Sequence, residues 1–324
     1  ILVGLNLLSV KLFGELEFWF AIIKVITILA LIAVGILLLA LEFKTNTGTV
    51  SLSNIWSHGG MFPNGVQGFL LSFQLVVFSF VGMELVGVSA AETTNPRKNI
   101  PSAINKIPVR ILLFYVGAII VILSINPWTY LNGDSSPFVG VFTLIGIPVA
   151  AGIINFVVMT SAASACNSGL FSTSRILHSL SKDGSAPKRV GRLNKRAVPS
   201  NALFLSAIVV SIGALLSKII PEQAFTMVTT ISAICFIWVW SIILIAHIKY
   251  KRTRPELAEK STFKAPLAPY INYAVLALFA FVLIIMLFAE ATRLALLLTP
   301  IWFIALLFLY NRKQKKIRIL DSKI

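Results

Sequence analysis

The sequence predicts an all-α bundle of membrane-spanning helices, and three observations carry that prediction. Hydrophobic residues make up 57% of the 324-residue chain, charged residues only 12%, and the mean hydropathy of +0.89 is well outside the range of soluble domains of this length. Eight apolar runs reach the roughly 20 residues that a helix needs to cross a bilayer. The connections between them alternate in charge, as they do in a chain that passes back and forth through a membrane.

The first ten residues, Ile1 to Val10, form an apolar stub about half as long as a span. It lacks a basic flank and a small-residue cleavage site, so it reads as the end of a truncated transmembrane helix and not as a signal peptide. Spans then fall near 15–42, 68–91, 109–128, 147–175, 202–220, 224–247, 270–289 and 292–311. No connection is long enough for a soluble domain, so residues 1–324 read as one transmembrane domain. Prolines at 96, 101 and 108 fit helix starts and loop turns before the third span. Gly184 and Pro187 mark a helix stop after Lys182. The apolar stretch from Pro137 to Ile145, introduced by Ser135 and Ser136, is too short to span and is expected at the interface or over an entrance. Trp19, Trp56, Trp128 and Trp302 fall near span ends, where indole rings anchor at the interface.

A formal net charge of +16 invites a nucleic-acid reading, and the placement of the basic residues argues against it. Of the 28 Lys and Arg residues, 24 lie on one side: Lys11 and the clusters within 97–110, 175–196, 249–264 and 312–323. A basic excess marks cytoplasmic loops, so the charge reports topology, with the C-terminus cytoplasmic. Cys166 and Cys235 lie inside spans and show no paired spacing, which favours packing cysteines over a disulfide framework. The three histidines, His58, His178 and His247, show no metal-ligand spacing, so no metal and no cofactor is expected.

Two intramembrane charges remain. Glu84 ends the stretch Phe78-Ser79-Phe80-Val81-Gly82-Met83-Glu84 inside the second span, where an ionisable group costs roughly 2.5 kcal/mol or more. Gly82 and Ser79 make an unwound segment feasible there, because glycine tolerates unusual dihedrals and serine bonds to backbone groups. The competing reading is a continuous helix whose small residues allow close packing while Glu84 bonds to a neighbour. Lys24, in the first span, is either a lysine reaching back to the interface or a buried ammonium that gains and loses a proton during transport. The span near 147–175 carries Ser161, Ser164 and Asn167 among many small polar residues, which suit close helix packing or a hydrophilic path. No metalloprotease, serine-hydrolase or phosphate-loop motif is present, which argues against an enzyme. Neither a selectivity-filter loop nor a ring of charges is evident.

At this point a family resemblance enters. Gly14-Glu15-Leu16-Glu17-Phe18-Trp19-Phe20-Ala21-Ile22-Ile23-Lys24-Val25, the stretch from Phe78 to Leu85, Ala91-Glu92-Thr93, the run from Asn167 to Arg175, and Ala186-Pro187-Lys188 resemble, in order, the amino acid permeases of the amino acid-polyamine-organocation superfamily. The resemblance implies a LeuT-like fold of twelve helices with two inverted five-helix repeats. On that template the first three helices and part of the fourth are absent, residues 15–42 match the fifth helix, and residues 68–91 match the discontinuous sixth.

It also implies roles. Backbone carbonyls around Phe78, Ser79 and Phe80 would receive the substrate ammonium, Gly82 would permit the break, and Glu84 would couple its protonation to gating. Lys24 matches a position where proton-driven relatives carry a lysine in place of a sodium ion, and Ser161, Ser164 and Asn167 would face the pathway. The expected activity is proton-coupled import of small neutral amino acids, such as glycine, D-alanine and D-serine, across a bacterial inner membrane. The expected partners are the amino acid, protons and the lipid bilayer, with no nucleic acid and no obligate protein partner. Permeases for aromatic or basic amino acids or for GABA, or a nonfunctional fragment, are the alternatives.

Overall fold

A computed structural model describes residues 2–321 apart from residues 9, 47, 89–92, 132–135 and 145–147. It is all-α except for one two-stranded antiparallel turn, β1 (Lys44–Thr45) paired with β2 (Gly48–Thr49). Helices α1 (Leu2–Leu8) and α2 (Val10–Ala40) precede that turn, and a 3-10 turn over Leu52–Ile55 follows it. Ser51 starts the 3-10 turn by accepting a hydrogen bond from the Ser53 N–H.

Next come α3 (Gly65–Ser79) and the single turn α4 (Leu85–Val88). The run Pro96–Ile125 is helical throughout: α5 (Pro96–Ile111), a π-helical segment over Leu112–Gly117, and α6 (Ala118–Ile125). Pro96 opens this helix, where a missing N–H costs little, but Pro101 and Pro108 lie inside it and not at the helix starts or loop turns expected of them, and neither can donate the backbone bond of its turn. After a 3-10 turn at Trp128–Tyr130 come α7 (Pro137–Leu144) and α8 (Pro148–Lys182). The chain continues with α9 (Ser200–Ile219), α10 (Pro221–Thr253), α11 (Pro255–Glu259), α12 (Tyr270–Phe288) and α13 (Glu290–Asp321).

Among the described residues, seven helical runs are long and apolar enough to cross a membrane: Gly14–Ala40, Pro96–Ile125, Ala151–Lys182, Ser200–Ile219, Ala224–Thr253, Tyr270–Phe288 and Glu290–Arg312. Several of these helices run past the ends of their apolar stretches. The last turns of α8 and α10 carry Lys182, Lys251 and Arg252, cations that suit the negative end of a helix dipole. Large side chains such as Ile26, Leu37, Val209 and Leu307 are more than half exposed, which is the surface a lipid-facing helix presents.

The chain forms two compact units, each discontinuous in sequence. The first comprises residues 1–63 and 107–212. Its core joins Leu31 and Leu38 of α2, Val121, Ile122 and Ile125 of α6, Val141 and Phe142 of α7, and Ile154 of α8. The short apolar segment after Pro137 thus belongs to a packed core. The second unit comprises residues 64–106 and 213–324, and its core joins Val77 of α3 with Ala233, Ile234 and Ile237 of α10 and Phe279, Val282 and Met286 of α12.

Close approach of α2 and α6 depends on one glycine. A Cβ built on Gly35 would overlap Cγ1 of Val121, which is 3% exposed and has no room to withdraw. Gly35→Ala is therefore expected to destabilise the first unit by about 1–3 kcal/mol, the usual cost of overpacking. A lowered unfolding midpoint in detergent, partly restored by adding Val121→Ala, is the measurement that checks it.

Candidate functional site

In the second unit the apolar run near 68–91 is interrupted. Helix α3 has 15 residues, about 22 Å at 1.5 Å per residue, and is too short to span alone. It ends as Ser79 Oγ turns back to donate to the Val76 carbonyl at 2.7 Å. From there the backbone is held by bonds of three-residue reach: Phe80 N–H to Val77 O, Val81 to Phe78, Met83 to Phe80, and Leu85 to Gly82. Gly82 has φ of +104°, a conformation that side-chain-bearing residues rarely adopt, which is why glycine is needed at this point.

Glu84 closes the turn. Its Oε2 accepts the Gly82 N–H at 3.1 Å and lies 3.4 Å from the Trp240 indole nitrogen of α10, which donates to it. The carboxylate thus caps the backbone of the break and ties it to a packed aromatic group, since Trp240 stacks on Phe279 and meets Phe236. Phe78 packs against the core of the second unit, and Phe80 and Ser79 are partly buried. The Phe78 carbonyl accepts the N–H groups of Val81 and Phe80, while the Phe80 carbonyl accepts, among the described residues, only that of Met83 and has a second lone pair. Ala91 and Glu92 of the following motif lie outside the described residues.

In the first unit, α2 packs along α8 and brings a second group of sequence-selected residues together. Lys24 Nζ donates to Ser164 Oγ at 2.7 Å, so the ammonium is directed into the bundle and not toward a helix end. Ser164, fully buried, donates in turn to Glu17 Oε1 at 2.6 Å. Three residues beyond Ser164 on α8, Asn167 is 1% exposed and accepts from Asn6 Nδ2 of α1 at 2.6 Å. Asn6 also donates to the Leu2 carbonyl. Ser161 occupies the preceding turn of the same α8 face and is partly buried. Lys24 and Ser164 are therefore in direct contact, Asn167 is engaged by α1, and Ser79, Gly82 and Glu84 form the break of the second unit.

Three participants escaped sequence reasoning. Glu17 entered only as a letter of the Gly14–Val25 motif, although it stands seven residues before Lys24, two turns along one helix face. Trp240 was hidden in a strongly apolar run; an indole N–H in mid-span that needs an acceptor was the available signal. Asn6 lay in the opening stub, where a lone amide among aliphatic residues called for a partner. Among the described residues no group of three His, Cys, Asp or Glu side chains is placed to hold a metal ion.

A multi-pass helical bundle with a helix broken at a capped glycine, and with an ammonium and carboxylates inside the membrane region, has the architecture of a secondary transporter. The chain belongs to the amino acid permease family, whose description matches residues 1–319, within the amino acid-polyamine-organocation superfamily. It is a bacterial multi-pass membrane transporter and not an enzyme, with a helix bundle consistent with the LeuT-like permease fold. It is 58% identical over 316 residues to the "Amino-acid permease AapA" of Bacillus subtilis (strain 168), a match covering 98% of this chain and 68% of that protein. The "Uncharacterized transporter YdgF" of the same organism is also 58% identical, over 98% of this chain and 69% of that protein. The "D-serine/D-alanine/glycine transporter" of Escherichia coli (strain K12) is 49% identical over 325 residues, covering 98% of this chain and 69% of that protein.

Proposed function

We propose that this chain imports small neutral amino acids, with glycine, D-alanine and D-serine as the substrate class, in symport with protons by alternating access. The observation that carries this reading is the break at residues 80–84, where Gly82 is in a left-handed conformation and its N–H is capped by Glu84. A broken helix frees carbonyls for an ammonium group, and the carbonyls of Phe78, Ser79 and Phe80 are the acceptors assigned here. Ser161, Ser164 and Asn167 add polar surface along α8. Lys24 supplies a charge that changes with proton binding, and Glu84 links its own protonation to the turn: a carboxylate accepts from both Gly82 and Trp240, and a protonated one holds them less well.

Substrate and proton must each favour one state of the protein for their fluxes to be coupled. The small-substrate assignment follows the E. coli relative's name together with the aromatic side chains at Phe78 and Phe80. The side on which 24 of the 28 basic residues fall supports a cytoplasmic C-terminus. Uptake of labelled glycine or D-alanine with and without a protonophore tests the coupling. Collapse of accumulation is expected, and unchanged accumulation overturns it. Competition across small, aromatic and basic amino acids tests the substrate class, with small side chains expected to compete best.

A further inference from the structure

The chain Lys24–Ser164–Glu17 contains more than a lysine and its partner. An ammonium can only donate and a carboxylate can only accept, so the single Ser164 hydroxyl must accept from Lys24 and donate to Glu17, as the distances of 2.7 and 2.6 Å require. The second distance is that of a charge-assisted O–H···O⁻ bond. Glu17 Oε2 is buried and has no hydrogen-bond partner among the described residues, so the carboxylate holds an open acceptor inside the unit. Such an atom is rare in a finished core and calls for a role.

We infer that Glu17, Ser164 and Lys24 form a proton relay in which the coupling proton belongs to the group of three and not to Lys24 alone. The inference rests on the proton-coupled reading above. In the transfer, the Ser164 O–H bond breaks as its proton passes to Glu17 Oε1, while a Lys24 N–H bond breaks and its proton forms a new O–H bond at Ser164. The ammonium becomes an amine and the carboxylate becomes a carboxylic acid; no proton is gained or lost. The hydrogen-bond chain survives with its direction reversed, Glu17 now donating to Ser164 and Ser164 to Lys24. Net charge is zero in both forms, so the relay passes between an ion pair and a neutral pair without leaving a lone charge in a poorly solvated bundle. Exchange of the coupling proton is a separate step, in which the group of three gains or loses one unit of charge, and the unpartnered Glu17 Oε2, buried here, is the open acceptor it offers.

Few other titratable groups stand on the packed elements. On α2, Glu15 is exposed and about 200° round the helix from Glu17. Helices α1 and α6 carry none, and the π-helical segment carries Tyr115, which is 47% exposed. On α8, Cys166 is about 200° round from Ser164; Arg175 lies over the Phe171 ring, His178 bonds to the Gly191 carbonyl, and Lys182 ends the helix.

The test uses the protein reconstituted in proteoliposomes, reading proton entry and labelled amino acid accumulation together across pH. Glu17→Gln keeps the shape and the acceptor for Ser164 but removes the titrating oxygen, and Ser164→Ala removes the bridge. Each is expected to lower protons moved per substrate, to flatten the pH profile, and to reduce accumulation by ~5- to 150-fold, the usual range of a coupling factor. Glu17→Asp and Ser164→Thr are expected to restore part of each. Combining Glu17→Gln with Lys24→Ala is expected to be little worse than Lys24→Ala alone, since residues acting as a unit are not additive.

A wild-type pH profile in Glu17→Gln overturns the relay. Where that variant is poorly produced, the Ser164→Ala and Ser164→Thr pair decides, and equal profiles in the two overturn it. If Lys24→Ala abolishes proton entry while Glu17→Gln leaves it intact, only the relay fails. If the unaltered protein moves substrate without protons, the coupled reading itself fails.

Discussion

Lys24→Ala is expected to lower driven amino acid accumulation by ~5- to 150-fold while the amount of protein in the membrane changes far less. The ammonium reaches Ser164 at 2.7 Å within the first unit, so its removal leaves the Glu17 carboxylate with a serine hydroxyl and no cation. A carboxylate in that setting is costly, and it takes up a proton or shifts the helix to reach water. On the proposed coupling role, the protein in either case loses the charge that distinguishes its loaded and empty states. Paired measurements of uptake and of membrane protein level check the prediction. Normal accumulation would return Lys24 to the role of a lysine that merely reaches toward the interface.

The second large effect concerns Glu84. In Glu84→Gln the side-chain carbonyl still accepts the Gly82 N–H, so the turn keeps its cap, while the charge and the titration are gone. Transport is expected to show an altered pH dependence, with the fold intact. Glu84→Ala removes the cap as well, leaving the Gly82 N–H and the Trp240 indole without an acceptor, a loss of about 1–3 kcal/mol for an unsatisfied buried donor. A pH profile of initial uptake rates for the two variants, alongside their unfolding midpoints, separates the proton role from the cap. An unaltered profile in Glu84→Gln would confine Glu84 to the cap.

Periodicity and charge reveal spans well and what interrupts them poorly. Apolar runs located the helices, yet α8 continues to Lys182 and α10 to Thr253, because a helix that leaves the membrane keeps its hydrogen bonds while its side chains become polar. From its local residues the stretch from Phe78 to Glu84 was legible as costly but not as broken, and only the family resemblance implied the break. A continuous helix and a kinked one satisfy the same local propensities, and the Glu84 carboxylate that caps Gly82 also takes a bond from Trp240 of α10, over 150 residues away in sequence. Lys24 allowed two readings for a similar reason, since only Ser164 on α8 determines where the side chain goes. Pattern alone left the small polar residues of α8 between close packing and a hydrophilic path. In the structure Ser164 and Asn167 are both buried and both committed to specific polar partners.

The interleaving of the two units has a consequence for how this chain is made. Glu84 meets Trp240 across 156 residues and Asn6 meets Asn167 across 161, and in each case a hydrophilic side chain early in the chain waits for a much later helix. At a synthesis rate of about 5–20 residues per second, that wait is roughly 8–30 s. During it, the short helix α3 and the amide of Asn6 sit in the insertion machinery or the lipid without their final neighbours, protected only by transient water or chaperoning contacts. Slowing or truncating synthesis ahead of α10 would therefore leave α3 stranded, and quality control at the membrane would meet this half-made permease with Glu84 still lacking Trp240.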